Sequence, residues 1–252
     1  MTVVMTAAVA VLVLAGLFSL LGLGGAMLYV PVLHGLGYDF KAVAIPTALL
    51  LNGLTTLSAA VGHARAGLVD WRGGLPMAVT SLAAAPLGAL GTRYLATETL
   101  VLLFALGLVA AGAHMLAGAR RPEPEALLPA GRRAALTAAA GLGVGAIAGL
   151  LGIGGGFLIL PLLLAVGYPT KQAAATSAFI VVFASLSGFA GHVAVGHFHW
   201  PLLAATGLAA VVGAQLGAWV MRERLRARWV RQAFGVLLLG VAFRLVWPVL
   251  LA

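Results

Sequence analysis

The chain has 252 residues, of which 62% are hydrophobic and only 8% are charged, and its mean hydropathy is +1.10. A soluble domain carries about a quarter charged residues, so this composition excludes a soluble enzyme, a nucleic-acid-binding protein and a disordered chain. The net charge of +9 therefore indicates arginines at the cytoplasmic face of a membrane. Because the chain contains no cysteine, disulfides, zinc-thiolate sites and thiol catalysis are also excluded.

Apolar segments long enough to cross a bilayer recur along the whole chain. A transmembrane helix needs about 20 residues to cover about 30 Å of hydrocarbon. The first segment has no basic residue before Lys41, so we expect a retained span and not a cleaved signal peptide. The pattern predicts an all-α polytopic membrane protein with about eight hydrophobic segments, at residues 3–37, 43–61, 74–92, 99–118, 134–167, 172–195, 201–220 and 229–251.

A charged segment that contains proline interrupts the apolar pattern near the middle of the chain. The stretch RRPEPEALLPAGRR, from Arg120 to Arg133, holds three prolines and six charged residues. We expect a cytoplasmic linker over residues 119–133. It would separate an N-terminal transmembrane repeat, residues 1–118, from a C-terminal one, residues 134–252.

The two halves share a duplicated glycine motif. The stretch LLGLGGAMLYVPVLHGLGYDFK, from Leu20, aligns without gaps with LLGIGGGFLILPLLLAVGYPTK, from Leu150, and 11 of the 22 positions are identical. After one deletion, GHARAGLVDW, from Gly62, aligns with GHVAVGHFHW, from Gly191. This duplication predicts two structural repeats, an arrangement common in transporters, whose binding site lies between the repeats.

The distribution of basic residues favours inverted repeats. Four crossings per half would place six basic residues on one side of the membrane and eight on the other. If the long first segment of each half is instead a re-entrant hairpin, twelve basic residues share one face, and only Lys41 and Arg93 face the other (Arg244, inside the last span, is left out). Since basic residues collect in cytoplasmic loops, we expect a glycine-rich, broken hairpin in each half and inverted halves.

The motifs GLGGAMLYVP and GIGGGFLILP each place glycines directly before a short apolar helix. The first turn of a helix has unpaired N–H groups and a positive dipole end, and glycine lets a ligand approach them closely. An anion suits such a site, so we expect two facing turns to form an anion cradle near the midplane. The alternative is that these glycines only allow close helix packing. The expected backbone donors lie at Gly24, Gly25, Gly154, Gly155 and Gly156.

Hydroxyl and amide side chains inside the predicted spans are candidate secondary ligands. They are Thr47 and Thr55, which match Ser177 and Ser185 in the second copy, and Asn52. Asn52 has no polar equivalent, because Val182 stands opposite it, so we expect it to contribute asymmetrically. These side chains would complete the hydrogen bonds of the ligand. Alternatively, they bond to their own helix or to neighbouring helices.

The ionisable residues argue against a cation carrier and against an enzyme. All six carboxylates fall in predicted loops or in the linker, whereas cation pumps and proton-coupled carriers usually keep one in a span. The six histidines show no metal-binding spacing, so we expect no metal, no cofactor and no catalytic residue. A membrane-embedded hydrolase that uses Ser185 or Ser187 with His192 is an alternative, which the absence of a GxSxG motif disfavours.

The paired segments LLGLGGAMLYVPVL and LLGIGGGFLILPLL, followed by GHARAGLVDW and GHVAVGHFHW, resemble the sulfite exporter TauE/SafE family, also called the 4-toluene sulfonate uptake permease family. The resemblance covers essentially the whole chain. It implies a multi-pass transporter of the prokaryotic cell membrane for small anions such as sulfite or organosulfonates. One departure is that Ala26 replaces the third glycine, which is kept at Gly156. The related thiosulfate-uptake proteins use cysteines, which this chain lacks.

Duplication and resemblance together predict a membrane transporter of small anions, with sulfite or an organosulfonate as substrate. It would work by alternating access between the two repeats. The expected partners are the anionic substrate and the lipid bilayer, with no nucleic acid, and a homo-oligomer is compatible with the sequence. An anion channel is the first alternative, and the Ser/His hydrolase is the second.

Overall fold

The computed structural model describes residues 2–19, 23–118, 127–193, 198–223 and 227–250, and its regular structure in these ranges is helical. A π-helical turn, Phe40–Ala44, leads into α3, and a 3-10 turn, Thr92–Tyr94, follows α4. The all-α prediction is therefore confirmed. The helices are α1 (Thr2–Ser19), α2 (Ala26–Gly35), α3 (Ile45–Arg65), α4 (Trp71–Gly91), α5 (Thr97–Gly118), α6 (Ala130–Leu151), α7 (Gly156–Ala165), α8 (Thr170–His192), α9 (Trp200–Glu223) and α10 (Ala227–Leu250).

Within the described residues, seven helices are long and apolar enough to cross a membrane: α1, α3 with the turn before it, α4, α5, α6, α8 and α9. The predicted segment 229–251 corresponds to α10, whose described apolar stretch, Leu238–Trp247, is shorter. The linker prediction falls partly on residues 119–126, which lie outside the described residues, and the helix after it begins at Ala130. The protein is a multi-pass membrane protein.

Each long first segment divides into a long helix and a short one, as predicted. Segment 3–37 becomes α1 and the ten-residue α2, and segment 134–167 becomes α6 and the ten-residue α7. Ten helical residues extend about 15 Å, which is half the hydrocarbon thickness, so α2 and α7 are too short to cross. Glycines with left-handed backbone form the breaks, at Gly24, Gly152, Gly154 and Gly155.

The helices of the two halves interlace. The most extensive helix contacts are those of α4 with α6 and of α1 with α9, and each of them joins a helix of one half to a helix of the other. The helix α3 packs on α8 and α9, while α8 packs on α3 and α4. The helices α1–α5 of the first half correspond in order to α6–α10 of the second half. When each helix is replaced by its counterpart, the α4–α6 pair becomes α9–α1, the α3–α9 pair becomes α8–α4, and the α3–α8 pair is unchanged.

Apart from the contact of α3 with α8, which joins them, these pairings group eight helices into two bundles. The first bundle contains α1, α2, α3 and α9, and the second bundle contains α6, α7, α8 and α4. The helices α3 and α8 are the most buried of the long helices. In each, 72% of the residues in an apolar 18-residue stretch are buried, against 33–50% in the other five, which places α3 and α8 at the centre. The helices α5 and α10 pack on each other and reach α7 and α2, respectively.

The central helices α3 and α8 run in opposite directions where they touch. Gly53 of α3 approaches Leu186, whereas Leu49, one turn earlier, approaches Gly188. Lower residue numbers on α3 therefore face higher numbers on α8. Because α3 and α8 occupy the same place in their respective halves, these corresponding helices are antiparallel.

Candidate functional site

The two glycine turns meet in the protein interior. A Cβ added to Gly156 would meet the carbonyl oxygen of Leu23, so the start of α7 touches the chain that leads into α2. Residues 23–26 and 152–156 are all buried. We call the meeting place of residues 23–26 and 154–156, together with Asn52 and Ser185, the glycine junction.

Left-handed backbone explains most of the glycines at the junction. Gly24, Gly154 and Gly155 have φ angles of 70°, 67° and 75°, a region that costs other residues about 1–2 kcal/mol. Gly25 has an ordinary φ of −105°, but a Cβ there would collide with the ring of Tyr29. Close packing, the alternative left open by the sequence, therefore accounts for Gly25 and Gly156, whereas turn geometry accounts for Gly24, Gly154 and Gly155.

Asn52 lies at the centre of the glycine junction. Its Oδ1 accepts a 2.9 Å hydrogen bond from the N–H of Ala26, and its Nδ2 donates a 2.7 Å hydrogen bond to Ser185 Oγ. The backbone N–H can only donate, which fixes the orientation of the amide. A Cβ on Gly24 would meet Oδ1, and one on Gly154 would meet Nδ2. One side chain thus touches both turns and bonds to α8.

The two short helices begin differently. Asn52 caps the first N–H of α2, whereas no side chain in the described part of the chain is hydrogen-bonded to the start of α7. Val182 stands in α8 where Asn52 stands in α3, and an isopropyl group accepts no hydrogen bond. Among the residues that the structure describes, the positive end of the α7 dipole therefore faces the junction without a side-chain acceptor on it.

Tyr29 contributes a hydroxyl group that sequence analysis missed. Its oxygen lies 3.0 Å from Thr55 Oγ1, and Thr55 donates its own proton to the carbonyl of Leu51 at 2.8 Å. Tyr29 is therefore the donor of the bond to Thr55. The second copy has Ile159 at the position of Tyr29, so a polar aromatic residue in only one copy was the available signal.

The five predicted secondary ligands separate into two groups. Asn52 and Ser185 belong to the junction, and Thr55 connects to it through Tyr29. Thr47 is turned about 140° from Asn52 around α3, and Ser177 lies about 12 Å along α8 from Ser185. The hydroxyls of Thr47 and Ser177 are buried without a hydrogen-bond partner among the described residues. The role of all five side chains as ligands stays a prediction.

The serine–histidine pair of the hydrolase alternative is not assembled. Ser185 accepts its hydrogen bond from Asn52, and His192 Nε2 lies 3.0 Å from the carbonyl oxygen of Gly149. The buried hydroxyl of Ser187 has no hydrogen-bond partner within the described part of the chain. Neither serine is thus hydrogen-bonded to His192.

A polar cluster ties the second bundle together at one end. Asp70 caps α4 by accepting a 2.9 Å bond from the N–H of Gly73, and it accepts a 2.8 Å bond from the hydroxyl of Tyr168. Burial raises the pKa of Asp70, but the bonds from Gly73 and Tyr168 and the charge of Arg133 outweigh it and hold the pKa below its usual value. The Arg133 guanidinium also lies 5.4 Å from the centre of the Tyr168 ring.

Curated proteins with similar sequences are named as membrane transporters. The chain is 28% identical to the probable membrane transporter protein YunE of Bacillus subtilis, over 91% of this chain and 92% of the relative. It is 28% identical to the probable membrane transporter protein y4hK of Sinorhizobium fredii, over 95% and 97%. It is 34% identical to the sulfite exporter TauE/SafE family protein 1 of Arabidopsis thaliana, over 40% of this chain and 22% of the plant protein.

No solved structure gave a significant match to the chain. The names of the relatives indicate a membrane transporter. The family model for the sulfite exporter TauE/SafE proteins matches residues 7–245, which is nearly the whole chain. The chain therefore belongs to the sulfite exporter TauE/SafE family, as its duplicated glycine motif predicted.

Proposed function

We propose that this protein is a carrier of small anions in the prokaryotic cell membrane, with sulfite or an organosulfonate as its substrate. The observation that carries the proposal is the glycine junction, where two helix starts meet in the buried centre of a membrane protein. The uncapped start of α7 offers backbone N–H groups and a positive dipole end. Asn52 and Ser185 add neutral side-chain donors beside it.

The placement of the carboxylates supports an anion as the ligand. Within the described residues, Asp39 and Asp70 cap the starts of helical segments, Glu98 lies in the first turn of α5, and Glu223 ends α9. None of these carboxylates belongs to the junction. A cation site inside a membrane would need negative charge or a ring of carbonyl oxygens, whereas neutral N–H and O–H donors suit an anion.

The relation between the halves supports alternating access. The antiparallel contact of α3 with α8, and the exchange of helix pairings between the halves, are what an inverted repeat would produce. The junction groups bond to one another and are covered by protein. A closed centre of this kind favours a carrier, which opens to one side at a time, over an open channel.

Sulfite and sulfonates carry their negative charge on oxygens bound to one sulfur atom. Such a group can accept several hydrogen bonds at once from the converging N–H and O–H donors of a helix start. The name of the family supports sulfite as the first substrate to test. A sulfonate shares the same oxygen arrangement, so both belong in one panel.

Counterflow in proteoliposomes tests the proposal. Vesicles that contain the purified protein would be loaded with unlabelled sulfite, sulfoacetate, sulfate or chloride and diluted into a trace of labelled sulfite or, in parallel, of labelled sulfoacetate. We expect labelled sulfite to accumulate only in vesicles loaded with sulfite or the sulfonate, since a carrier exchanges bound substrate across the membrane. Equal uptake into loaded and empty vesicles would indicate a channel, and no uptake of sulfite or sulfonate would contradict the proposed substrate class.

A further inference from the structure

The contacts of α4 with α6 and of α1 with α9, one in each bundle, bring backbone against backbone, whereas the contact of α3 with α8 between the bundles is made mainly through side chains. In the second bundle, a Cβ on Gly145 of α6 would lie 2.6 Å from the carbonyl oxygen of Ser81 of α4. In the first bundle, a Cβ on Gly217 of α9 would meet the carbonyl oxygen of Gly16 of α1. Helices packed this closely cannot slide or separate without losing a continuous interlocked surface.

Hydrogen bonds across these seams reinforce the packing in the second bundle. Ser81 of α4 donates a 3.1 Å bond to the carbonyl of Gly141 of α6, and Thr92, just after α4, donates a 2.9 Å bond to the carbonyl of Leu150. The N–H of Asp70 donates a 3.1 Å bond to Thr176 Oγ1 of α8. These bonds join α4, which belongs to the first half of the sequence, to helices of the second half.

The first bundle contains a corresponding link between the halves. Gln215 of α9 donates a 2.9 Å hydrogen bond to the carbonyl of Ser58 of α3 and a 2.8 Å bond to its hydroxyl. The helix α9 belongs to the second half of the sequence, whereas α3 belongs to the first. Each bundle is therefore held together by polar contacts that cross from one half to the other.

The contact between α3 and α8, by contrast, rests on leucine side chains. A Cβ on Gly53 would lie 2.5 Å from Leu186 Cδ2, and a Cβ on Gly188 would lie 3.6 Å from the methyl groups of Leu49. Leucine side chains can change rotamer and repack, so such a surface permits relative movement. The 2.7 Å bond from Asn52 to Ser185 is the polar contact described across it.

We propose that the two interlaced bundles, and not the two halves of the sequence, are the rigid bodies that move against each other during transport. The inference rests on the proposed function, since it describes how the carrier exposes the glycine junction to each side. The bond from Asn52 to Ser185 breaks and re-forms as the bundles move, because its partners lie on opposite bodies. Movement of the halves as units would instead tear apart the α4–α6 and α1–α9 seams.

Two matched cross-links distinguish movement of the bundles from movement of the sequence halves. The natural chain has no cysteine to interfere with them. Gly53→Cys with Leu186→Cys places a thiol pair between the bundles. Gly91→Cys in α4 with Leu150→Cys in α6 places a thiol pair inside the second bundle but between the two halves of the sequence. These positions are close, since a Cβ on Gly91 would lie 3.2 Å from Leu150 Cδ1. Each pair replaces one glycine and one leucine and is bridged by a short bifunctional methanethiosulfonate reagent.

We expect the bridge between Gly53→Cys and Leu186→Cys to lower sulfite counterflow at least about tenfold, with recovery after reduction. The bridge between Gly91→Cys and Leu150→Cys should leave counterflow within about twofold of the reduced protein. The inference is overturned if the second bridge blocks transport or if the first one does not. Failure of the cysteine-free parent to exchange sulfite would contradict the proposed function instead.

A distance measurement tests the same inference even if a cross-linked variant folds poorly. Spin labels at the lipid-facing residues Leu87 of α4 and Leu208 of α9 report on the separation of the bundles, since both side chains are about 70% exposed. Labels at Leu87 and Leu142 of α6 lie inside one bundle but in different halves. We expect added sodium sulfite to shift the first distance distribution and to leave the second unchanged. A shift in the second distribution, or none in the first, overturns the inference.

Discussion

Asn52 of α3 donates a 2.7 Å hydrogen bond to Ser185 of α8, although the two residues do not occupy corresponding positions in the duplicated sequence. Ser185 corresponds to Thr55, and Asn52 corresponds to Val182. The helix pairings of the two halves correspond to each other, but this central hydrogen bond joins residues that do not. The Oδ1 of Asn52 accepts the bond that caps α2, whereas no side chain among the described residues caps α7, so the junction offers different chemistry to its two sides.

Replacement of Asn52 by aspartate tests whether the junction binds an anion. Asn52→Asp keeps an acceptor for the N–H of Ala26 but places a negative charge where the substrate would carry one. We expect sulfite counterflow to fall at least about tenfold, because like charges in a buried site repel strongly.

The control for this change is Asn52→Val, which copies the residue at position 182. It removes two buried hydrogen bonds, each worth about 1 kcal/mol, and adds no charge. Its thermal stability in detergent should fall, while its transport should fall less than that of Asn52→Asp. Wild-type transport by the aspartate variant would be incompatible with an anion at the junction.

Replacement of Gly154 by alanine should abolish transport. The added Cβ would meet Asn52 Nδ2 and would occupy a backbone with a φ of 67°. Gly67→Ala is the matched control, because Gly67 has a φ of 68° but open space around its Cβ. Both variants should lose about 1–2 kcal/mol through backbone strain, and only Gly154→Ala should lose transport. Equal transport by the two variants would remove Gly154 from the site.

The neighbouring glycines of the first turn should respond differently to a second mutation. Gly25→Ala should impair folding and transport because its Cβ would collide with the ring of Tyr29, and Tyr29→Ala should restore much of the loss. Gly24→Ala should not be rescued by Asn52→Ala, since its φ of 70° disfavours any side chain. Thermal melting and counterflow of the single and double variants measure both effects. Equal rescue at both positions would contradict the distinction between packing and turn geometry.

The stability of the second bundle should depend on pH through Asp70. Because the pKa of Asp70 is lower in the folded protein than its ordinary value of 3.8, ionised Asp70 stabilises the fold above that value. The contribution is lost as the pH falls through the folded pKa. The melting temperature of the wild type should therefore exceed that of Asp70→Asn at pH 7, and the difference should shrink as the pH falls below 3.8 and disappear below the pKa of folded Asp70.

Tyr168→Phe tests whether the hydrogen bond from Tyr168 to Asp70 contributes to this pH dependence. It removes the hydroxyl that donates to Asp70, so part of the pH-dependent stabilisation should disappear while the cap on α4 remains. A pH-independent difference between the wild type and Asp70→Asn would show that the carboxylate charge plays no part.

Much of the fold could be predicted from the sequence, because membrane spans and glycine breaks leave local signals. The apolar runs predicted the long helices, and the motif before Pro31 and Pro161 predicted where the first segment of each half breaks. No local pattern in the sequence predicted that helices of one half would pack mainly against helices of the other half. Contacts between Gly145 and Ser81, or between Gly217 and Gly16, depend on which helices pack together and not on the pattern within one helix.

The site could be predicted only in part for the same reason. Asn52 was recognised as an asymmetric polar residue, but its two partners lie 26 and 133 residues away along the chain. Thr47 and Thr55 were both predicted as secondary ligands, yet only Thr55 connects to the junction through Tyr29. Tertiary packing decides which of several hydroxyls on a buried helix meets another polar group.

The most direct test of the account is the location of the bound anion. Selenite has the geometry and charge of sulfite and contains an element whose anomalous X-ray scattering identifies it. Crystals of the protein grown with selenite should show a selenium peak within hydrogen-bond reach of Asn52 and the N–H groups at the start of α7. A protein that transports sulfite but binds selenite only outside the glycine junction would contradict the account.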